Sequence, residues 1–208
     1  MSLLSAPLVP SGDNKPCHLN KQQKSDKKAL LVTQELKEIL IGLLLGDLYA
    51  QKQKASINAR LQFKQSTIHK DYLLHLHDLF KEYCGSNPKT SFISLKEKIH
   101  GSMRFYTYSL PCFNEFYNLF YFEGKKFIPT NIGSLLTLLG LAYWICDDGS
   151  FYKSTKTVVL CTESFIMEEV ELLISVLNDK WDLDSYKKKH QMVFSSSTGC
   201  GWAKNLIN

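Results

Sequence analysis

Two aspartates stand out by where they fall. Asp47 follows the apolar run Leu40-Ile41-Gly42-Leu43-Leu44-Leu45-Gly46, and Asp148, preceded by Asp147, follows Leu141-Ala142-Tyr143-Trp144-Ile145-Cys146. A carboxylate at a helix C-terminus is poorly placed for stability, because the dipole is already negative there. Two such ends brought together repel, and a divalent cation relieves the repulsion. Mg²⁺ prefers oxygen ligands and keeps several waters, and a site of that kind activates water and stabilises a leaving oxygen on phosphate. A single aspartate after an apolar helix is usually an ordinary solvated turn residue. The recurrence is what gives these two weight. On this reading Asp47 and Asp148 are metal ligands, one from each of two helices. Asp147, one step round the helix, either supports the site or faces water.

The elements that must position them recur as well. The spacing of Leu36, Ile39, Leu40, Leu43 and Leu44 predicts a helix over 33–48, with Thr33 as N-cap. A hairpin follows over Leu48–Gln65, with Leu61 and Phe63 on one face and Arg60, Gln62 and Lys64 on the other. A second helix over 67–83, strands over 91–96 and 103–110, and a short helix over 112–121 complete the series. The order then returns: a helix over 132–146, a hairpin over 150–163, a helix over 166–181, and strands over 184–189 and 191–196. A repeat of about a hundred residues is too long for a solenoid unit. It suggests two similar α+β halves related by a pseudo-twofold axis. Small residues in the apolar runs, Gly42, Gly46 and Ala142, let two helix backbones approach closely.

The two segments resemble the nine-residue motif of the LAGLIDADG homing endonucleases. Leu40, Gly42, Leu43 and Asp47 match in the first, and Leu141, Ala142, Ile145, Asp148 and Gly149 in the second. The resemblance covers roughly residues 33–196. It implies an α+β fold of two αββαββα-type halves packed through the motif helices, with antiparallel sheets forming a DNA-binding saddle. It implies a monomeric, Mg²⁺-dependent endonuclease, with Mn²⁺ as a substitute, that cuts both strands of a long DNA site in intron homing. The strands after each motif helix would then read bases: Lys52, Lys54, Arg60, Gln62 and Lys64 in the first half, and Lys153, Lys156 and Thr162 in the second. Arginine and lysine suit guanine acceptors, glutamine suits adenine, and many lysines hold only phosphates. A solvated strand face is the plainer alternative. Lys125-Lys126-Phe127-Ile128-Pro129 resembles a family segment in which a lysine nears the active site. Lys126 is the preferred candidate and Lys125 the alternate, a basic loop without a role being the other reading. The family also includes maturases that bind intron RNA, and a noncatalytic DNA-binding remnant is a third reading.

The implied organisation is a flexible basic arm over 1–32, a first half over 33–130 and a second over 131–208. A second counterpart of the lysine–proline segment would fall beyond Asn208, so the second half is expected to be shortened. Residues 1–10 are apolar without a basic region before them, unlike a secretory signal. The chain has 208 residues, 44% hydrophobic, enough for one compact domain or two small packed halves. No stretch reaches the roughly 20 apolar residues of a membrane span, so the chain is expected to be soluble. The formal charge of +5 is compatible with a polyanionic partner. The abundance of Lys, Asn, Ile, Phe and Tyr, with two arginines, resembles products of AT-rich organelle genomes, mitochondrial first and chloroplast second. None of the six cysteines forms a C-x-x-C pair, which argues against structural zinc, and Cys146 is expected to be buried. His75 and His77 share a predicted helix but point to different faces, which is not metal spacing.

Overall fold

The structure, a computed structural model, describes residues 29–53, 56–95, 98–188 and 191–195. The expected basic arm lies outside these, apart from its last residues, as does Lys54. The chain opens with helix α1 (Gln34–Leu45), whose N-cap Thr33 accepts the Leu36 N–H at 3.3 Å. Strands β1 (Tyr49–Lys52) and β2 (Ala59–Ser66) form the first hairpin. Helix α2 (Lys70–Leu79) is flanked by 3₁₀ turns at Thr67–His69 and Lys81–Tyr83, where a single helix over 67–83 was expected. Strands β3 (Lys89–Leu95) and β4 (Lys98–Tyr106) complete a four-stranded antiparallel sheet of order β1-β2-β4-β3. Helix α3 (Asn114–Phe120) and a two-stranded ribbon of β5 (Tyr121–Phe122) and β6 (Lys125–Lys126) lead to the second half.

That half repeats the plan. The apolar stretch over 132–146 is not one helix: α4 (Ile132–Leu135) ends at Leu136, which is extended, and α5 (Leu138–Asp148) starts anew. Thr137 explains the break, because its hydroxyl accepts the Gly140 N–H at 3.2 Å and caps α5. Strands β7 (Gly149–Tyr152) and β8 (Thr157–Cys161), helix α6 (Met167–Trp181) and strands β9 (Asp184–Lys188) and β10 (Gln191–Ser195) follow. The second sheet runs β7-β8-β10-β9, the same order as the first. The fold is therefore α+β, with two αββαββ halves. No helix corresponding to α3 follows β10 among the described residues.

The halves join through α1 and α5. A Cβ on Gly42 would run into the Gly140 carbonyl oxygen, and one on Gly140 would lie 2.9 Å from the Glu38 oxygen. Only glycines allow this crossing. Ile39 to Leu45 are all buried, as expected of a helix that is apolar all round and covered all round. The core continues through Phe63, Phe80, Phe105, Phe113 and Phe120 in the first half. Trp144, Leu160, Leu173, Leu177 and Met192 extend it into the second.

Candidate active site at the paired helix ends

Helix α1 ends at Gly46. The Leu43 carbonyl accepts the N–H of both Gly46 and Leu48, each at 3.1 Å, and so skips Asp47. The Asp47 side chain is exposed, and its N–H is taken by the second half: Asp147 Oδ2 accepts it at 2.6 Å. Gln65, on β2, donates through Nε2 to Asp147 Oδ1 at 3.0 Å. Helix α5 runs on to Asp148 and passes straight into β7, with the Gly149 N–H returned to the Ile145 carbonyl.

Lys126, on β6, closes the group. Its ammonium donates to the Gly46 carbonyl at 2.6 Å and to the Leu48 carbonyl at 3.3 Å. A cation there complements the negative end of α1. Burial lowers its pKa to about 8, against the pull of Asp147, Asp47 and Asp148. Burial also pushes Asp147 up to about 7, helped by repulsion from Asp47 and Asp148 and opposed by its two hydrogen bonds. Asp148 is likewise pushed up to about 7, by burial first and by Asp47 next. The Lys126 charge and a hydrogen bond with Cys161 oppose that rise, and Glu163 adds to it. Three carboxylates and one ammonium thus act on one another's charge, and no three of them form a ready cluster of metal ligands among the described residues. The structure brings Asp47, Asp148 and Lys126 together, while Lys125 is exposed at the edge of the ribbon.

The expected base-reading residues divide. A cleft of about 550 Å³ runs from Asp47 along the outer face of the first sheet, past Gln62, Lys64, Ser66, His100 and Ser102. Arg60 lies 4.6 Å over the Tyr106 ring. With the amides of Gln51 and Gln53 turned oxygen-inward, Gln51 accepts from the Arg60 guanidinium at 2.9 Å and Gln53 at 3.0 Å. Lys52 faces the other way, because β1 alternates and Lys52 shares a side with buried Ala50. Its ammonium donates to Asn118 Oδ1 at 2.9 Å and sits 4.8 Å over the Tyr117 ring, on α3. Thr162 is also misplaced by the sequence reading. It continues the inward alternation of Val158 and Leu160 and is 3% exposed. Lys153 and Lys156 are exposed in the β7–β8 turn.

Sequence reasoning missed Lys89 and Arg104. The sheet register pairs Lys64 with Arg104 and Arg104 with Lys89, so three exposed cations form one row across β2, β4 and β3. It also missed the parts played by Gln65 and Cys161. Cys146, expected to be buried, is exposed near the end of α5. His75 Nε2 is 2.8 Å from the Tyr143 hydroxyl, and His77 meets Phe105 edge-on; both pack between elements.

Comparison with known proteins gives this geometry its context. A model of the LAGLIDADG DNA endonuclease family matches residues 37–196. Cytochrome b mRNA maturase bI2 of Debaryomyces hansenii is 38% identical over 159 residues, covering 74% of this chain. The chain spans only 60% of that relative's length. The probable intron-encoded endonuclease 1 of Wickerhamomyces canadensis is 32% identical over 183 residues, which is 82% of this chain and 78% of that one. The solved structure of the homing endonuclease I-WcaI bound to its DNA recognition sequence superposes with a TM-score of 0.75 at 30% identity. It covers 84% of this chain and 81% of that one. By its fold, its two motif helices and these matches, the chain belongs to the LAGLIDADG DNA endonuclease family.

Proposed function

We propose that the chain is a site-specific endonuclease of intron homing, hydrolysing both strands of a DNA duplex with a divalent cation held by Asp47 and Asp148. The observation that carries this is the meeting of two helix-end carboxylates, one per half, beside Lys126 and at the head of a cation-lined sheet face. The donor set fits such a cation. It is all hard oxygen, and burial first and the Asp47 charge next push the Asp148 carboxyl up to about 7 despite Lys126, a cost that a bound cation would relieve. When bound, Mg²⁺ or Mn²⁺ would supply an activated water and a counter-charge for the leaving oxygen.

The chain's own residues do the rest. Lys126 holds the end of α1 through two carbonyls and places positive charge where a phosphate must come. Lys64, Arg104 and Lys89 neutralise backbone phosphates or meet guanine edges, and Gln62 offers an amide to adenine. The strands of a duplex are related by a twofold, as are the helix ends, so each carboxylate serves one strand and a monomer suffices. A mitochondrial setting, with the chloroplast as alternative, accords with the cytochrome b mRNA maturase and intron-encoded endonuclease among the relatives.

A second reading, an intron RNA maturase, is favoured by the name of the Debaryomyces relative. Against it, α6 carries Glu168, Glu169, Glu171 and Asp179 with Lys180 as its one cation, so that helix does not attract a polyanion.

The test is incubation of purified protein with a library of duplexes, including intronless host-gene junctions, in Mg²⁺ or Ca²⁺. The expected result is Mg²⁺-dependent double-strand cutting at one site, with Asp47→Asn and Asp148→Asn each slowing it by about 10³-fold or more. Specific binding without cutting would instead indicate a remnant. Neither binding nor cutting by folded protein would shift the case to intron RNA.

A further inference from the structure

We infer that Asp147 is a positioning residue, holding the first-half ligand Asp47 in place from the second half. The inference rests on the endonuclease reading above. At equivalent places before the two ligand aspartates stand Gly46 in one half and Asp147 in the other. The pseudo-twofold is broken there, and the structure shows to what end. A Cβ on Gly46 would lie 2.6 Å from Asp147 Oδ2, so the carboxylate occupies the space that glycine leaves. From there Oδ2 accepts the Asp47 N–H at 2.6 Å, and Gln65 steadies the other oxygen at 3.0 Å. This N–H is the one that the Leu43 carbonyl passes over when α1 ends. The bond is short, and it is charge-assisted when Asp147 is ionised.

The latch works in one direction. Gly46 has no side chain with which to return it, and the N–H after Asp148, that of Gly149, goes to the Ile145 carbonyl within its own helix. The main chain of Asp148 belongs to α5 itself and its side chain meets Cys161 of the same half, whereas the main chain of Asp47 is held by a residue across the joint. Losing the latch loosens Asp47, whereas Asp148 keeps its helix and its Cys161 contact and loses only a repelling neighbour. Because each carboxylate serves one strand, the loss appears as a bias between strands, which a general loss of stability does not produce.

The experiment uses the full chain with Asp147→Ala, Asp147→Asn and Gly46→Ala, and two readouts. In metal-free protein, NMR follows the Asp47 amide. In the wild type it should lie downfield and be protected from exchange. Asp147→Ala should lower that protection by about tenfold or more, and Gly46→Ala, which displaces the carboxylate without removing it, should do the same. Asp147→Asn keeps an acceptor oxygen and should recover most of it. With Mg²⁺ and a duplex labelled on each strand, both alanine variants should cut one strand about tenfold more slowly and the other within about twofold, so that nicked duplex accumulates.

Equal slowing of both strands by a folded variant overturns the inference, and so does an unprotected Asp47 amide in the wild type, whatever the variants do. If the wild type binds DNA yet cuts neither strand, the endonuclease reading fails and the positioning role falls with it, while the amide still reports whether the hydrogen bond exists.

Discussion

In the first half every residue of α1 from Ile39 to Leu45 is buried; in the second, α5 buries Gly140, Leu141 and Trp144 and leaves Cys146 exposed. The strand order is the same in both. What differs is the cover. Helix α3 packs on α1 and β1, its Asn114 accepts the Ala59 N–H at 2.8 Å, and Tyr121 just beyond it accepts the Ala50 N–H at 3.1 Å. Among the described residues nothing plays those parts for α5 and β7. The outer sheet faces differ too. The first carries the row Lys64-Arg104-Lys89; in the second the matching row is Cys161-Gln191-Lys188, with one cation in place of three, and the row beside it, Ser150-Val159-Val193-Tyr186, is neutral. One topology thus supports a covered half with a row of three cations and a barer half whose sheet face carries fewer. The plan of the repeat constrains backbone and core, and leaves the surfaces free to diverge.

The comparison holds only if the halves are one body, and that depends on the helix crossing. Gly42→Ala drives a methyl group into the Gly140 backbone, which cannot move without parting α1 from α5. A loss of about 4 kcal/mol or more is expected, at the severe end for a point mutation. Urea unfolding checks it. A loss below about 1 kcal/mol would mean that the crossing is slack and the halves are only loosely joined.

The difference in cover predicts a graded response to truncation along the two helices. Leu44 is fully buried, so Leu44→Ala should cost about 3 kcal/mol. Ile145, in the corresponding turn of α5, is half-buried, and Ile145→Ala should cost about 1 kcal/mol. Equal costs in the same unfolding measurement would show that α5 is covered in solution by something outside the described residues.

Much of this was legible in advance, for reasons that also mark where legibility stopped. Leu and Ile at helical spacing, strand alternation and the capping Thr33 are local signals, and they located most elements within a few residues. Asp47 and Asp148 were conspicuous because the same offence against the helix dipole occurred twice. Pairing register is not local. Nothing within Met103-Arg104-Phe105 says that Arg104 stands between Lys64 and Lys89. Lys52 and Thr162 were placed on the outer face because polar residues on a strand near a motif look alike, whichever way the pleat turns them. The role of Asp147 was hidden for a like reason. Its partner is an N–H left over by the other helix, 100 positions away.

The smallest expected effect bears on the two sheet faces. Lys64, Arg104 and Lys89 are exposed and share one face. Each cation that neutralises a phosphate releases a counterion. Replacing any one with alanine should therefore flatten the plot of log affinity against log salt by about 1. If Arg104 reads a guanine instead, Arg104→Ala should cost about 1–3 kcal/mol at one base pair and relax specificity there. Tyr186→Ala in the neutral row carries no charge and should leave the slope unchanged while altering affinity only modestly. Binding isotherms at three or four salt concentrations separate these outcomes. A slope that falls for Tyr186→Ala as much as for Lys64→Ala would show that the loss comes from general disruption of the surface. A slope that ignores all three cations would place the phosphates elsewhere, on the exposed Lys153 and Lys156 of the β7–β8 turn, and would make the second half the one that grips the duplex.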